Sequence, residues 1–150
     1  MKNKQRQLDI VLVEDDKDHA EIIEFYIKEA SAYASVKHLG DGEKTMRYLQ
    51  RMETDAALIP DLIMLDLKIP KYDGHDILQR IKNNPSLKQI PVVILTTSNA
   101  CTDREKALNN HANSYIVKPI EEHGFKEIIA PIIRYWELHE GVCGRQEDKP

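Results

Sequence analysis

The sequence predicts an α/β fold: a doubly wound, five-stranded parallel sheet with helices on both faces. Three observations lead to this prediction. Five short runs rich in Val, Ile and Leu are spread along the chain, and amphipathic helical patterns separate them. Three of the runs are apolar throughout, which is typical of central strands covered on both faces. Strands that alternate regularly with helices imply parallel pairing through right-handed crossovers.

The five strands are predicted where branched aliphatic residues cluster. The second run is the weakest, because Lys37 and His38 interrupt its apolar character, and we expect His38 to have a structural role there. In chain order the predicted strands are Ile10–Val13, Ser35–Leu39, Leu62–Leu65, Val92–Leu95 and Tyr115–Val117.

The helices are predicted from apolar residues that recur at helical spacing. Asp18 is the candidate cap of the first helix, and Asn84-Pro85 ends the third. The fourth helix has the weakest apolar side. The positions that define the five helices are, in order, Ile22, Ile23, Tyr26, Ile27 and Ala30; Met46 and Leu49; Ile77, Leu78 and Ile81; Ala107 and Leu108; and Phe125, Ile128, Ile129, Ile132, Ile133 and Trp136.

The last helical stripe is first of all a face that packs on the sheet. Its final aromatic pair, Tyr135 and Trp136, extends beyond the length needed to cover the sheet. Exposed aromatic residues are enriched at protein interfaces. We therefore expect this pair to be exposed and to mark a contact between two copies of the chain.

The length of 150 residues fits one domain. We predict this domain over residues 8–140, between a polar N-terminal extension at 1–7 and a polar tail at 141–150. No apolar run approaches the ~18 residues of a membrane span, and no apolar stretch follows the polar N terminus, so neither a membrane segment nor a signal peptide is expected. The net charge of −4 argues against binding to nucleic acid.

Cysteine and histidine are placed without metal-binding or redox spacing. The two cysteines, Cys101 and Cys143, are far apart and are expected to be free thiols in a reducing cytoplasm. The six histidines are scattered, and we expect most of them at the surface.

Polar side chains follow four of the predicted strands directly. Because ligands of parallel sheets bind outside the carboxyl ends of the strands, the search for a site narrows to these residues. We expect them to converge at one rim of the sheet. In strand order they are Glu14–Asp16, Asp66, Thr96–Ser98 and Lys118-Pro119.

The types of these side chains indicate phosphoryl chemistry. Clustered carboxylates repel one another and raise each other's pKa unless a cation neutralises them. Oxygen ligands without His or Cys favour Mg²⁺ or Ca²⁺, and the absence of a calcium-type loop of spaced acids favours Mg²⁺. A metal ion and a lysine together suit a dianionic phosphoryl group. A carboxylate in that setting can itself be the nucleophile and form an acyl phosphate.

These motifs resemble the receiver domain of two-component response regulators. The resemblance covers roughly residues 8–138 and implies the flavodoxin-like strand order 2-1-3-4-5. Five motifs in the same order make it highly specific. They are Val11–Asp16, Pro60–Pro70, Asp73-Gly74, Leu95–Thr97 and Lys118-Pro119.

The resemblance assigns an acceptor and its metal ligands. Asp66 is the implied phosphoacceptor. Asp15 is the implied direct Mg²⁺ ligand, and Glu14, where many receivers have Asp, is a more distant one. The backbone carbonyl of Lys68 is a further implied ligand.

The resemblance also assigns a switch. Thr96 is the implied hydroxyl that bonds the phosphoryl oxygen, and Tyr115 is the aromatic residue whose rotamer follows it. Either Thr96 or Thr97 could be read as the switch, and register with the apolar run favours Thr96. Lys118 is the implied partner of the phosphoryl group, and the bond between Lys118 and Pro119 resembles one that is cis in the family.

Within the family, the sequence is most similar to the small stand-alone regulators encoded with bacterial phytochromes. The cues are the segments Arg51–Pro60, Asn83–Lys88, Leu95–Ser98 and Tyr135-Trp136. The implied function is to accept a phosphoryl group from a sensor histidine kinase, of the phytochrome type, in an Mg²⁺-dependent reaction. Because no output domain is expected, the output is binding to a downstream protein or onward transfer of the phosphate.

Three other functions are considered. An aspartyl phosphatase normally has a second acid two residues after its nucleophile, where this chain has Lys68. A nucleotide-binding protein needs a phosphate loop, but Gly40-Asp41-Gly42 lacks the third glycine and follows the wrong strand. A receiver-like module that binds partners without phosphate is disfavoured because every key residue type is present. We therefore expect a signalling phosphoacceptor that catalyses only its own phosphorylation and dephosphorylation.

Overall fold

The computed structural model describes residues 7–138. The predicted extension at 1–7, apart from Gln7, the predicted tail at 141–150 and Cys143 lie outside the described residues. The strands are β1 (Asp9–Val13), β2 (Ser35–Leu39), β3 (Leu62–Leu65), β4 (Val92–Thr96) and β5 (Ser114–Val117). The helices are α1 (Lys17–Ala30), α2 (Gly42–Thr54), α3 (Gly74–Asn83), α4 (Cys101–Asn109) and α5 (Gly124–Glu137), with a short 3₁₀ turn at Ala56–Leu58.

All strand pairs are parallel, and the strand order is β2-β1-β3-β4-β5. The predicted fold class and strand order are confirmed. Between β1 and β3 the order of strands across the sheet changes direction, since β2 lies on one side of β1 and β3 to β5 lie on the other. At such a point the loops that follow the two strands leave toward opposite faces of the sheet and open a crevice between them. The carboxyl ends of these two central strands therefore lie at the rim where the acidic residues were predicted to meet.

The strands separate two apolar layers by simple alternation. In β1, Ile10 and Leu12 pack with α1 and α5, whereas Val11 and Val13 pack with α2, α3 and α4. Strands β3 and β4 are buried at every position, which the apolar runs Leu62–Leu65 and Val92–Leu95 predicted; Thr96 adds a buried polar residue at the end of β4. Among the residues described, no helix has the length and the apolar character needed to cross a lipid bilayer.

Helix α1 begins two residues earlier than the sequence suggested. Asp16, not Asp18, is its N-cap: the Asp16 carboxylate accepts the backbone N–H groups of Asp18 (2.9 Å) and His19 (3.2 Å). Asp18 already lies in the first helical turn, so its side chain cannot fulfil this role. The bond from His19 N–H is also the main reason why the pKa of Asp16 is lowered.

The aromatic pair at the end of α5 divides between core and surface. Trp136 is only 8% exposed and packs with Phe125, Ile129 and Ile133. Tyr135 is 61% exposed, and its ring meets that of Trp136 edge to face. The expectation of an exposed pair is therefore wrong for Trp136, because it continues the helical stripe at i+3 and i+4 spacing.

Candidate functional site

The hydrogen-bond ladder of the sheet continues past the ends of its strands and fixes the residues of the site. The N–H of Asp66 donates to the carbonyl of Val13 (3.1 Å), and the N–H of Lys118 donates to the carbonyl of Thr96 (2.7 Å). Glu14 follows β1 directly, and its N–H bonds the last carbonyl of β2 at 3.1 Å. Each functional side chain thus projects from backbone that the sheet itself orders.

Lys118 joins the ends of β1, β3 and β5. Its Nζ donates to Glu14 Oε1 at 2.6 Å and to Asp66 Oδ2 at 2.9 Å. The side chains of Lys118 and Glu14 are each 1% exposed. An ammonium buried this deeply needs such charged partners to offset the loss of its hydration.

The bond between Lys118 and Pro119 is trans, as is every described peptide bond. The cis bond that the resemblance implied is therefore absent from this structure. An X–Pro bond favours trans by only about 0.5–1 kcal/mol. The trans bond still directs the Lys118 ammonium to Asp66, so the contact does not require the cis isomer.

Three carboxylates form the acidic cluster predicted at this rim. One oxygen each from Glu14, Asp15 and Asp66 lies within 4.8 Å of the others. Glu14 and Asp66 are buried, whereas Asp15 is exposed. Burial raises the pKa of Glu14 to about 7, the charge of Asp66 adds to this, and Lys118 opposes it. A single lysine leaves the ionised cluster negative, so this set of oxygen ligands fits a hard divalent cation such as Mg²⁺.

Lys68 meets the phosphoacceptor through its backbone. Its N–H donates to Asp66 Oδ1 at 3.0 Å, whereas Lys118 donates to the other carboxylate oxygen, Oδ2. Its side-chain ammonium extends away to Asp103, 3.7 Å from Oδ2. The proposed role of its carbonyl as a metal ligand stays a prediction.

Thr96 and Tyr115 occupy positions that suit the predicted switch. Thr96 ends β4 and is fully buried, whereas Thr97 is exposed, so Thr96 is the threonine directed into the protein. Tyr115 is half-buried, and its hydroxyl donates to the carbonyl of Ser98 at 2.9 Å. The backbone N–H of Ser98 in turn lies 3.4 Å from Thr96 Oγ1. The loop after β4 therefore connects the two residues.

Sequence reasoning missed a polar network beside the switch. Asp103 on α4 accepts a bond from Ser98 Oγ at 2.6 Å and meets His75 Nε2 at 3.1 Å. These two hydrogen bonds lower the pKa of Asp103, that of Ser98 contributing most. The network joins the start of α3 and the loop after β4 to α4.

Two histidines contact the site, and sequence reasoning missed His19. His19 Nδ1 lies 2.9 Å from Lys118 Nζ, and His38 Nε2 lies 2.7 Å from the carbonyl oxygen of Glu14. The structural role expected for His38 agrees with its contact. Most of the described histidines are exposed, as expected: His75 is the buried one at 4%, and His19 is partly exposed. The start of helix α1 brings His19, in its first turn, over the rim.

The order of strands and the cluster of acids with a buried lysine define a class of signalling domain. The sequence profile of the response regulator receiver domain matches residues 10–130. The chain belongs to this family, and the resemblance noted from the motifs is confirmed.

Two known regulatory proteins are similar to this chain over most of its length. The probable methanogenesis regulatory protein FilR2 of Methanothrix harundinacea is 38% identical over 127 residues, which span 85% of this chain and 82% of FilR2. The response regulator Rcp1 of Synechocystis is 36% identical over 128 residues, 85% of this chain and 87% of Rcp1.

Two crystal structures show the same likeness in three dimensions. The phosphorylated cyanobacterial phytochrome response regulator RcpA superposes with a TM-score of 0.82 at 35% identity, over 92% of this chain and 99% of its own. The Mn²⁺-bound form of Rcp1 gives a TM-score of 0.81 at 34% identity, over 90% and 98%. The similarity to phytochrome-associated regulators that the sequence indicated is therefore confirmed.

Proposed function

We propose that this response regulator accepts a phosphoryl group on Asp66 from a sensor histidine kinase and signals through the resulting change in its surface. The observation that carries the proposal is the Asp66 carboxylate itself. It is buried at the rim of the sheet, bound by Lys118 at 2.9 Å, and within 4.8 Å of two further acids. This arrangement offers a fixed nucleophile and positive charge for an incoming phosphoryl group.

The proposed reaction transfers the phosphoryl group between two side chains. An oxygen of Asp66 attacks the phosphorus of a phosphohistidine, the P–N bond breaks as the P–O bond forms, and the departing imidazole takes up a proton. Lys118 lies at hydrogen-bond distance of Asp66 and offsets the charge on the transferred group. Glu14, Asp15, Asp66 and the Lys68 carbonyl would bind Mg²⁺, which supplies further positive charge against the phosphoryl oxygens.

The proposed output is a shift between two conformations. The hydroxyl of Thr96 donates to the acquired phosphoryl oxygen, and Tyr115 follows into the space that Thr96 leaves. The contact between Tyr115 and Ser98 supports this coupling, because it already joins β5 to the loop after Thr96. A phosphoryl group changes the populations only as far as it favours one conformation over the other.

The proposed kinase is of the phytochrome type, because RcpA is described as a phytochrome response regulator and shares 35% of its sequence with this chain. The test is phosphotransfer from a panel of the organism's own histidine kinases. We expect a phytochrome-type kinase to label Asp66 fastest, and preferential labelling by another kinase would contradict this assignment. A cytoplasmic location agrees with Cys101, which is a free, exposed thiol.

We also propose that two copies associate through the region of the C-terminal helix, with a downstream protein as a further, unidentified partner. Tyr135 and Leu138 are exposed there, and Ile120 in the preceding loop is fully exposed. Burying such side chains would favour association. Sedimentation equilibrium with and without phosphodonor tests this, and a monomer at high concentration in both conditions would contradict it.

Replacement of the phosphoacceptor tests the proposed function directly. We expect the unaltered chain, incubated with Mg²⁺ and a small phosphodonor such as acetyl phosphate, to acquire acid-labile, hydroxylamine-sensitive phosphate. Asp66→Asn should lose this label, because an amide cannot form the acyl phosphate. Intact-mass spectrometry measures the added group.

A matched control is Asp76→Asn, which changes an exposed aspartate in the first turn of α3. It should be labelled like the unaltered chain. Equal labelling of Asp66→Asn would refute the assignment of the phosphoacceptor. An unaltered chain that acquires no label would favour a receiver-like module that acts without phosphate, and sustained hydrolysis of an external phosphomonoester would favour a phosphatase.

A further inference from the structure

The ammonium of Lys118 has one neighbour that the acidic cluster does not supply. Besides Glu14 and Asp66, its Nζ lies 2.9 Å from Nδ1 of His19. An ammonium group has three N–H donors and no acceptor. The three neighbours therefore match its three donors one to one, at 2.6, 2.9 and 2.9 Å.

This contact defines the form of the imidazole. Since Lys118 can only donate, Nδ1 of His19 must be the unprotonated, accepting nitrogen, and the proton of the neutral ring is on Nε2. The tautomer is thus assigned by chemistry rather than by the positions of hydrogen atoms.

The ring of His19 is fixed by its own surroundings as well. The backbone of His19 is bound by the Asp16 cap at 3.2 Å. On α5, the ring of Phe125 packs beside the imidazole with 5.7 Å between ring centroids. The His19 side chain is 30% exposed, so one part of it reaches the solvent while Nδ1 faces the buried lysine. A residue fixed from α1 and α5 can in turn fix a side chain that enters from β5.

The three acceptors of Lys118 respond differently to metal binding and to phosphorylation. Conversion of Asp66 to an acyl phosphate removes its charge, and a divalent cation beside Glu14 competes with Lys118 for that carboxylate. The accepting Nδ1 of His19 takes part in neither change. It is therefore the acceptor whose bond to Lys118 remains when both carboxylates are engaged.

We propose that His19 is a positioning residue for Lys118: its Nδ1 keeps the ammonium directed at the phosphoacceptor when Glu14 and Asp66 turn to the metal ion and the phosphoryl group. The inference rests on the proposed phosphorylation of Asp66 and adds a residue that acts through Lys118. Loss of one hydrogen bond of about 1.4 kcal/mol corresponds to about a tenfold change in rate if it acts fully in the transition state.

The experiment compares two substitutions of His19 by their rates of labelling with acetyl phosphate at saturating Mg²⁺. His19→Leu removes the acceptor but keeps an apolar group against Phe125, and we expect labelling to slow by about tenfold. His19→Asn keeps an acceptor bonded to Cγ, where Nδ1 stands, and should restore most of the rate. His123→Leu, which changes an exposed histidine of another loop, is the matched control and should leave the rate unchanged.

The same substitution of His19 in chains that lack Lys118 tests whether His19 acts through that lysine. In chains that carry Lys118→Met, we expect His19→Leu to cause no further slowing, since the bond is already lost. A tenfold slowing that persists without Lys118, or equal rates for the leucine, asparagine and unaltered chains, would overturn the proposal.

A spectroscopic measurement separates this inference from the proposed function. The ¹⁵N shifts of the His19 ring, recorded without phosphodonor or metal, should be those of an accepting Nδ1 and a protonated Nε2. The Lys118 ¹⁵Nζ resonance should shift in His19→Leu and move back in His19→Asn. A protonated Nδ1, or a Lys118 ¹⁵Nζ resonance that does not shift when His19 is substituted, would overturn the contact even if Asp66 is phosphorylated. A chain that acquires no phosphate but shows these shifts would contradict only the function.

Discussion

At the scale of single residues, Glu14 shows how burial sets the chemistry of the site. It is 1% exposed, yet it carries a carboxylate beside the equally buried Lys118. Burial disfavours its charged form and raises its pKa to about 7, against the opposing hydrogen bond from Lys118. Whether Glu14 is ionised near neutral pH therefore depends on what else is bound at the rim.

The raised pKa predicts a pH-dependent affinity for Mg²⁺. Ionised Glu14 attracts the cation and protonated Glu14 does not, so we expect the affinity to rise by about tenfold from about pH 6 to about pH 8, as the ionised fraction grows. Isothermal titration calorimetry at several pH values measures this. Glu14→Gln should bind more weakly and with little dependence on pH, and a steep dependence in that variant would contradict the role of Glu14.

The same pKa fixes the sign of its effect on stability without metal. Between about pH 4.5 and about pH 7, folded Glu14 keeps a proton that the unfolded chain releases. The contribution of Glu14 to the free energy of unfolding therefore falls as the pH rises through this interval. A divalent cation reverses the preference by favouring the ionised form.

Residues that follow apolar strands were predictable, and residues that reach the site from helices were not. Glu14, Asp66 and Lys118 each come directly after a strand, and the sheet brings such positions together. His19 is 99 residues from Lys118, and Asp103 is 28 residues from His75. Their contacts depend on the rotation and start of α1 and α4, which apolar periodicity does not specify to within one residue.

At the scale of elements, the start of α3 packs unusually close to the backbone of the phosphoacceptor. A Cβ on Gly74 would lie 2.7 Å from the Asp66 carbonyl oxygen and 2.5 Å from the Leu67 Cα. The N–H of Gly74 also bonds the Leu67 carbonyl at 3.1 Å. Glycine is needed at this position because backbone atoms, which cannot rotate away, fill the space.

Gly74→Ala should therefore destabilise the chain and disturb the site together. We expect the free energy of unfolding to fall by about 1–3 kcal/mol, because the loop after β3 must move away from the new methyl group. Urea denaturation measures the stability, and labelling by acetyl phosphate should slow as Asp66 shifts.

Gly40→Ala is the matched control for this substitution. The nearest atom to a Cβ on Gly40 is His38 Cε1, at an ordinary contact distance of 4.0 Å. Its effect on stability should stay within about 0.5 kcal/mol. Equal stability of the Gly74 and Gly40 variants would show that the loop after β3 adapts freely.

Helix α4 shows why a weak sequence pattern can still define an element. Only Ala107 is buried along its length, as its sparse apolar residues predicted. Polar bonds compensate: Asp103 joins the helix to Ser98 and His75. An element held largely by such bonds can shift more readily than one packed by apolar contacts, which suits its place beside the proposed switch.

At the scale of the whole molecule, the fold was predictable because the apolar pattern of most strands and helices shows which of their faces are buried. Central strands are apolar throughout and every helix except α4 shows one apolar stripe, so the layers follow from the sequence. The failures concern ends: the cap of α1, the burial of Trp136 and the isomer of the bond before Pro119. Each depends on a balance of about 1 kcal/mol or on a shift of one or two residues.

The acidic rim predicts that Mg²⁺ stabilises the entire fold. Glu14 and Asp15 follow β1, whereas Asp66 follows β3, so a cation bound among them joins segments that are far apart in the sequence. Because the unfolded chain lacks this arrangement, Mg²⁺ at about a hundred times its dissociation constant should add about 2.7 kcal/mol to the free energy of unfolding. Urea denaturation with Mg²⁺ or with a chelator measures the difference.

Asp15→Asn, at an exposed position, should fold normally but lose most of this gain, whereas Asp76→Asn should keep it. If Mg²⁺ stabilised both variants equally, the cation would not bind at Asp15.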